Sequence, residues 1–185
     1  PGPASEKDLY QGERNSDGQP HGKGFCISTT SSYIGSRICK YVGHWVCGKK
    51  EGMGTLVYAN GDEYTGEFKD GVRDGRGVYV CKESGERYEG YFVADVAQGK
   101  GTLTKKNGDV FNGNFAFGKK HGHGKYQYFN GDEYEGEYYE GLYLNGVFKF
   151  ASSGEIMKIK ADVDKLKRLI SRSSSSDSRS SSSSR

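Results

Sequence analysis

His121 and His123 flank Gly122 in "KKHGHGK", and two imidazoles held that close are the beginning of a metal site. No cysteine, aspartate or third histidine stands at a spacing that would complete the shell, so no metal and no cofactor is expected. Gly-x-Gly pairs recur at Gly22, Gly52, Gly75, Gly99 and Gly122. A phosphate loop needs a strand before it and a helix after it, so that the helix N-terminus faces the anion. Here a strand pattern follows each pair, which argues against nucleotide. Serine, histidine and acids are all present but scattered over repeated turns, and an enzyme needs one singular constellation in a water-excluding pocket. The acid pair Asp62-Glu63 returns as Asp132-Glu133, which marks it as a repeated feature. The expected class is therefore non-catalytic.

Two other groups of residues carry chemistry. Lys49, Lys50, Arg73, Arg76, Lys119 and Lys120 fall in one set of turns, while Asp62, Glu63, Glu86, Asp109, Asp132 and Glu133 fall in the other. If the turns stack, one edge is basic and the other acidic. That arrangement is either ordinary solvated turn charge or a basic edge that docks on an acidic protein or an anionic lipid surface. Tyr41, Trp45, Tyr64, Phe68, Tyr88, Phe92, Phe111, Phe115, Tyr134 and Tyr138 recur in register and form a candidate protein-binding aromatic face.

The elements that position these residues follow from a repeat. From Tyr41, Gly43 lies at +2, Trp45 at +4, Gly48 at +7, Gly52 at +11 and Gly54 at +13, and the same offsets run from Tyr64 and from Phe111. From Tyr88 they run with Asp95 in place of one glycine. Starts at 41, 64, 88, 111 and 134 are 23 or 24 residues apart, with an imperfect copy from Tyr10. Each copy reads as a β-hairpin of period-2 strands. One connection is expected to be a six-residue turn, Val46 to Glu51. The other is a three-residue loop such as Ala59-Asn60-Gly61, ending in a left-handed glycine. The arithmetic puts Leu56 opposite Tyr64 and gathers Gly43, Gly54, Gly66 and Gly77 into one bare row. It predicts a further row of Trp45, Gly52, Phe68 and Gly75, in which rings lie over glycine.

Totals agree with a thin β structure. The chain of 185 residues has 29 Gly, 14 Tyr and 9 Phe, with few aliphatic residues. Its formal net charge of +3 is too balanced for a dedicated nucleic-acid binder. The four cysteines have no leader before them and no paired spacing, so free thiols in a reducing compartment are expected. No apolar run reaches the roughly 18 residues of a membrane-spanning helix.

The stretch "YVGHWVCGKKEGMGTLVYANGDEY", with its repetition, resembles the MORN (membrane occupation and recognition nexus) repeat over about Tyr10 to Phe150. The resemblance implies an all-β fold, an elongated, single-layer, twisted antiparallel sheet of about six tandem hairpins. It implies a scaffold binding other proteins, a membrane-associated tether, or the targeting array of a larger enzyme. The opening "YQGERNSDGQPHGKG" is similar to the first repeat of ciliary radial spoke head proteins, which implies a cytoskeletal, axonemal location. Asp95 for glycine, Arg14 for an aromatic and the insertion between Gly24 and Tyr41 depart from the pattern.

The expected organisation is an N-terminal extension (1–9), the ribbon (10–160), a short amphipathic helix (161–171) and a Ser/Arg-rich disordered tail (172–185). A last degenerate strand is expected near Glu155 to Ile159. Val163, Leu166, Leu169 and Ile170 give the helix one apolar face, suited to capping the sheet end, docking on a partner or lying on a membrane. An uncovered sheet end also invites a second copy of the chain.

Overall fold

The computed structural model describes residues 9–32 and 35–161. They form one open sheet of 13 strands in which every strand pairs antiparallel with its neighbours in sequence. The first unit is β1 (Leu9–Arg14), β2 (Pro20–Ser32), β3 (Gly35–Val46) and β4 (Lys49–Val57). Then follow β5 (Glu63–Lys69), β6 (Val72–Val80), β7 (Arg87–Val93) and β8 (Val96–Thr104). The series closes with β9 (Val110–Ala116), β10 (Lys119–Gln127), β11 (Glu133–Tyr139), β12 (Leu142–Lys149) and β13 (Ile156–Lys160). β13 is the degenerate last strand. No helix occurs among the described residues, and the predicted helix of Val163, Leu166, Leu169 and Ile170 lies outside them.

The register has the expected bare row, with Gly43 opposite Gly54, Gly54 opposite Gly66 and Gly66 opposite Gly77. Leu56 faces Tyr64 and also Tyr41. The three-residue loop is present: the Tyr58 N–H donates to the Asp62 carbonyl at 2.8 Å, and Gly61 has φ 86°.

The other connection differs from the six-residue expectation. Val46 pairs with Lys49, leaving a two-residue turn of Cys47 and Gly48 at φ 47° and 80°. Positive φ at both positions is the primed turn, whose twist matches that of the flanking strands. The residues read as turn are mostly strand, and the extra length is taken up by a bulge, because His44 pairs with Glu51 while Gly43 pairs with Gly54. The bulge shifts the predicted ring-over-glycine row. Trp45 faces Lys50, Phe68 faces Arg73 within its hairpin and Gly52 across the next pair, and Gly75 faces Phe92 rather than Phe68.

A single layer buries its rings because glycine lets them lie flat. A Cβ on Gly43 would stand 2.3 Å from the Tyr41 hydroxyl oxygen, and one on Gly54 would stand 2.4 Å from it. Either Gly→Ala change is excluded unless the ring leaves. The Tyr41 hydroxyl then donates to the His44 carbonyl at 3.1 Å, and Tyr64 does the same to Glu67 at 2.9 Å. Flat rings meet edge to face along the sheet. Trp45 meets Tyr41 at 5.1 Å, Tyr41 meets Phe68 at 5.1 Å, and Phe68 meets Tyr64 at 5.1 Å. The zigzag continues through Phe92, Tyr88, Phe115, Phe111 and Tyr138 to Tyr134. Such pairs contribute about 0.5–1.5 kcal/mol each beyond area burial.

Turns are tied to turns. The Gly71 N–H donates to the Lys50 carbonyl at 3.0 Å, and Gly118 to Ala97 at 3.0 Å. On the other edge, the Asp62 carboxylate accepts the Lys82 N–H at 2.8 Å and Asp109 accepts that of Phe129 at 3.0 Å.

Candidate functional site

All ten rings of the candidate aromatic face are buried within the monomer, from Tyr64, Phe111 and Tyr134 at 0% exposure to Trp45 at 7%. They are the core of the ribbon. Burial and the Glu51 charge push the Tyr41 phenol up to about 12. What this face offers a partner is the set of half-buried residues beside the ladder, including Tyr58, Tyr79, Leu103 and Tyr143.

The basic residues separate into three placements. Lys49 pairs with Asp70 at 2.8 Å and Lys119 with Glu140 at 2.6 Å, along the tight-turn edge. Arg76 lies on the face away from the rings, where its Nε donates to the Tyr91 hydroxyl at 3.0 Å. Lys50, Arg73 and Lys120 lie over the ladder itself. On the opposite edge, Asp62 and Asp109 are buried rather than displayed. Hydrogen bonds from the Tyr79 hydroxyl and the Lys82 N–H hold Asp62 below the ordinary carboxylate range.

Arg73 shows what the slot over the ladder can hold. Its guanidinium sits 6.0 Å from the Tyr58 ring, 5.5 Å from Tyr64, 5.5 Å from Tyr79 and 5.0 Å from Phe92. Asp95 closes the cage: its Oδ1 accepts Arg73 Nε at 3.0 Å and the Arg73 backbone N–H at 3.0 Å. Asp95 stands at φ 69°, where other turns carry glycine, and aspartate tolerates that region better than most residues. The aspartate that departed from the repeat is thus explained by its ion pair. Sequence periodicity marks Asp95 as an exception but does not show its partner, which is 22 residues upstream.

Lys120 lies 4.5 Å from the Tyr126 ring centroid and 5.2 Å from that of Phe111, and burial together with nearby Lys105 holds its ammonium below the usual lysine range. Lys50 lies 5.4 Å over Tyr41, beside a cavity of about 260 Å³. On the face away from the rings, a groove of about 880 Å³ is floored by the glycine row and lined by residues such as Thr65, Val78, Glu89, Tyr91, Lys100 and Asn112. The period-2 pattern puts these between the repeat positions, and their variety hid them.

No cluster of three metal-ligating residues occurs among the described residues. His121 is near Tyr139, with ring centroids 5.3 Å apart, while His123 lies 3.5 Å from both Glu135 and Glu137. No helix among the described residues is long and apolar enough to cross a membrane.

Comparison with known families agrees with this architecture. The MORN repeat model matches residues 16–33, 41–63, 64–85, 88–110 and 111–133, more than half of the chain, and the protein belongs to the MORN repeat family. Repeats of this family are typically protein and membrane interaction modules. The unit from Tyr134 lies outside the matched segments yet keeps the register, with Gly136 opposite Gly146. No curated protein matches the sequence. Among solved structures, the chain is similar to the SAS-4 (dCPAP) TCP domain in complex with a proline-rich motif of Ana2 (dSTIL) of Drosophila melanogaster. That likeness has 12% identity, covers 87% of this chain and 96% of that chain, and has a TM-score of 0.30. At that score it establishes nothing about this chain.

Proposed function

We propose that this protein is a non-catalytic scaffold that binds other proteins through the ring-bearing face and the turn edges, within a cytoskeletal assembly of the axonemal, radial-spoke kind. The observation that carries the scaffold reading is the use of its chemistry. The acids Asp62, Asp95 and Asp109 hold neighbouring repeats together. The axonemal assignment rests on the opening "YQGERNSDGQPHGKG" segment. Docking uses the half-buried rim of the ladder and the lysines Lys50 and Lys120.

Affinity purification of the native protein from ciliated cells tests this reading. Recovery of axonemal proteins supports it, and their absence overturns the location. Flotation with anionic vesicles at two salt concentrations tests the tether alternative, in which salt-sensitive flotation without a protein complex replaces the scaffold. The length of the full gene product tests whether the array targets a larger enzyme.

A further inference from the structure

The cavity beside Lys50 is the Arg73 cage with its contents removed. Lys50 stands on β4 where Arg73 stands on β6, 23 residues apart, and Tyr41 stands for Tyr64. Around them the bulk is gone: Ser28 lies two residues past Cys26 as Tyr58 lies two past Leu56, and Leu56 itself takes the place of Tyr79. Gly71 takes the place of Asp95. The result is an open space of about 260 Å³ lined by Cys26, Ser28, Cys39, Tyr41, Trp45 and Lys50, with Gly71 at its rim.

Hydrogen-bonding capacity in this space is one-sided. On the wall side, the Trp45 ring lines the space while its indole N–H is buried behind the surface without an acceptor. Among the described residues Lys50 has no carboxylate partner. Glu51 and Asp70 are engaged elsewhere, since Glu51 Oε2 accepts the Asp70 N–H at 3.0 Å and Asp70 Oδ1 accepts a hydrogen bond from Lys49 Nζ at 2.8 Å. An ammonium and a serine hydroxyl therefore line a space to which no described residue brings an anion.

We propose that this cavity is an anchor site for a carboxylate side chain, Asp or Glu, of a partner protein. It lies where Asp95 lies in the next hairpin, and it accepts a hydrogen bond from Lys50, close to the Trp45 ring in the cavity wall. The volume suits one side chain, and a charge-assisted bond in a half-closed apolar surround is among the stronger contacts available to a scaffold. The site rests on the protein-binding reading above and names the chemistry that reading requires.

The single tryptophan makes the test direct, because the chain gives one indole N–H resonance in a ¹H–¹⁵N spectrum. The probe is a blocked peptide alternating Glu and Ala, with its Gln counterpart and inorganic phosphate as controls. The Glu peptide is expected to move the indole resonance in a saturable way. Lys50→Met, which keeps the stem over Tyr41, should weaken that binding about tenfold or more, and Lys50→Arg should restore it. An indole signal that ignores the Glu peptide, or moves equally with the Gln peptide or in Lys50→Met, overturns the proposal. A larger response to phosphate overturns the carboxylate assignment. The backbone amide spectrum of each variant shows whether it is folded. Recovery of no protein partner by the wild-type chain would sink the scaffold reading, whereas the indole titration judges the cavity alone.

Discussion

Arg73 and Lys50 occupy the same place in adjacent hairpins, and their surroundings are opposite. Arg73 has four rings and the Asp95 carboxylate about it, and its side chain is 17% exposed. Lys50 has one ring and an empty cavity. Lys120 is a third version, with three rings, Gly141 in the place of Asp95, and Lys105 where the first cage has Tyr58. The ring that faces the slot also differs. Phe68 and Phe115, which face Arg73 and Lys120, have no polar atom to satisfy, whereas Trp45, which faces Lys50, has a buried Nε1 without a partner. One repeated backbone thus makes a closed structural joint or an open site, and the choice lies in a few side chains around an unchanged register.

The largest effect should come from the ring both slots depend on. Phe68 lies between Tyr41 and Tyr64 and faces Arg73. Phe68→Ala should cost about 3–5 kcal/mol in denaturant unfolding, because the ladder has no second layer to collapse into the gap. A loss below about 1 kcal/mol would mean the ladder is not the core. Asp62→Ala comes next, at about 2–3 kcal/mol, because it leaves the Tyr79 hydroxyl and the Lys82 N–H without an acceptor and loosens one wall of the Arg73 cage. The effect has a pH signature. The Asp62 carboxyl is held below its ordinary value, so its contribution is complete above about pH 4 and is lost as pH falls through the folded value. Thermal melts of wild type and variant should therefore converge below about pH 4. A constant gap down to pH 2 would remove the carboxylate from the account.

Much of this was legible in the sequence. Glycine and ring spacing specified the hairpins, the bare row and the three-residue loop, because each demands a particular residue at a particular offset. The tight turn was misread because charged residues such as Lys49 and Lys50 look like loop, while a bulge at Gly52 hides two residues of strand from simple counting. The candidate rings were found and their role was not. Whether a ring on a one-layer sheet is core or interface depends on its lying flat over Gly43 and Gly54, and periodicity does not show side-chain tilt. The slot contents were out of reach for a different reason: they join residues from three strands, such as Arg73 with Tyr58 and Asp95, by contacts that vary between repeats.

The contrast between the two cations gives a smaller, paired prediction. Arg73→Met should cost about 1–2 kcal/mol, through lost cation–ring contacts and the Asp95 pair. Lys50→Met should change stability by less than about 0.5 kcal/mol, because it breaks no ion pair. Equal losses in urea unfolding would erase the distinction between joint and open site.

The sharpest test of the comparison, read out in binding more than in stability, is to move the missing acid. Gly71 is the turn residue equivalent to Asp95, and a Cβ placed on it meets nothing within 4 Å. Its φ of 93° strains a side chain, but Asp95 shows that aspartate is accommodated at 69° in the same turn. Gly71→Asp should therefore shift unfolding by no more than about 1 kcal/mol, with the strain partly offset by a new pair to Lys50. It should also supply in cis the carboxylate assigned to a partner. The indole resonance of Trp45 should move in the variant alone, and the Glu peptide should bind about tenfold more weakly than to wild type. If the resonance stays where it was and the peptide binds as before, Lys50 and Arg73 are not equivalent slots, and the carboxylate site loses its template.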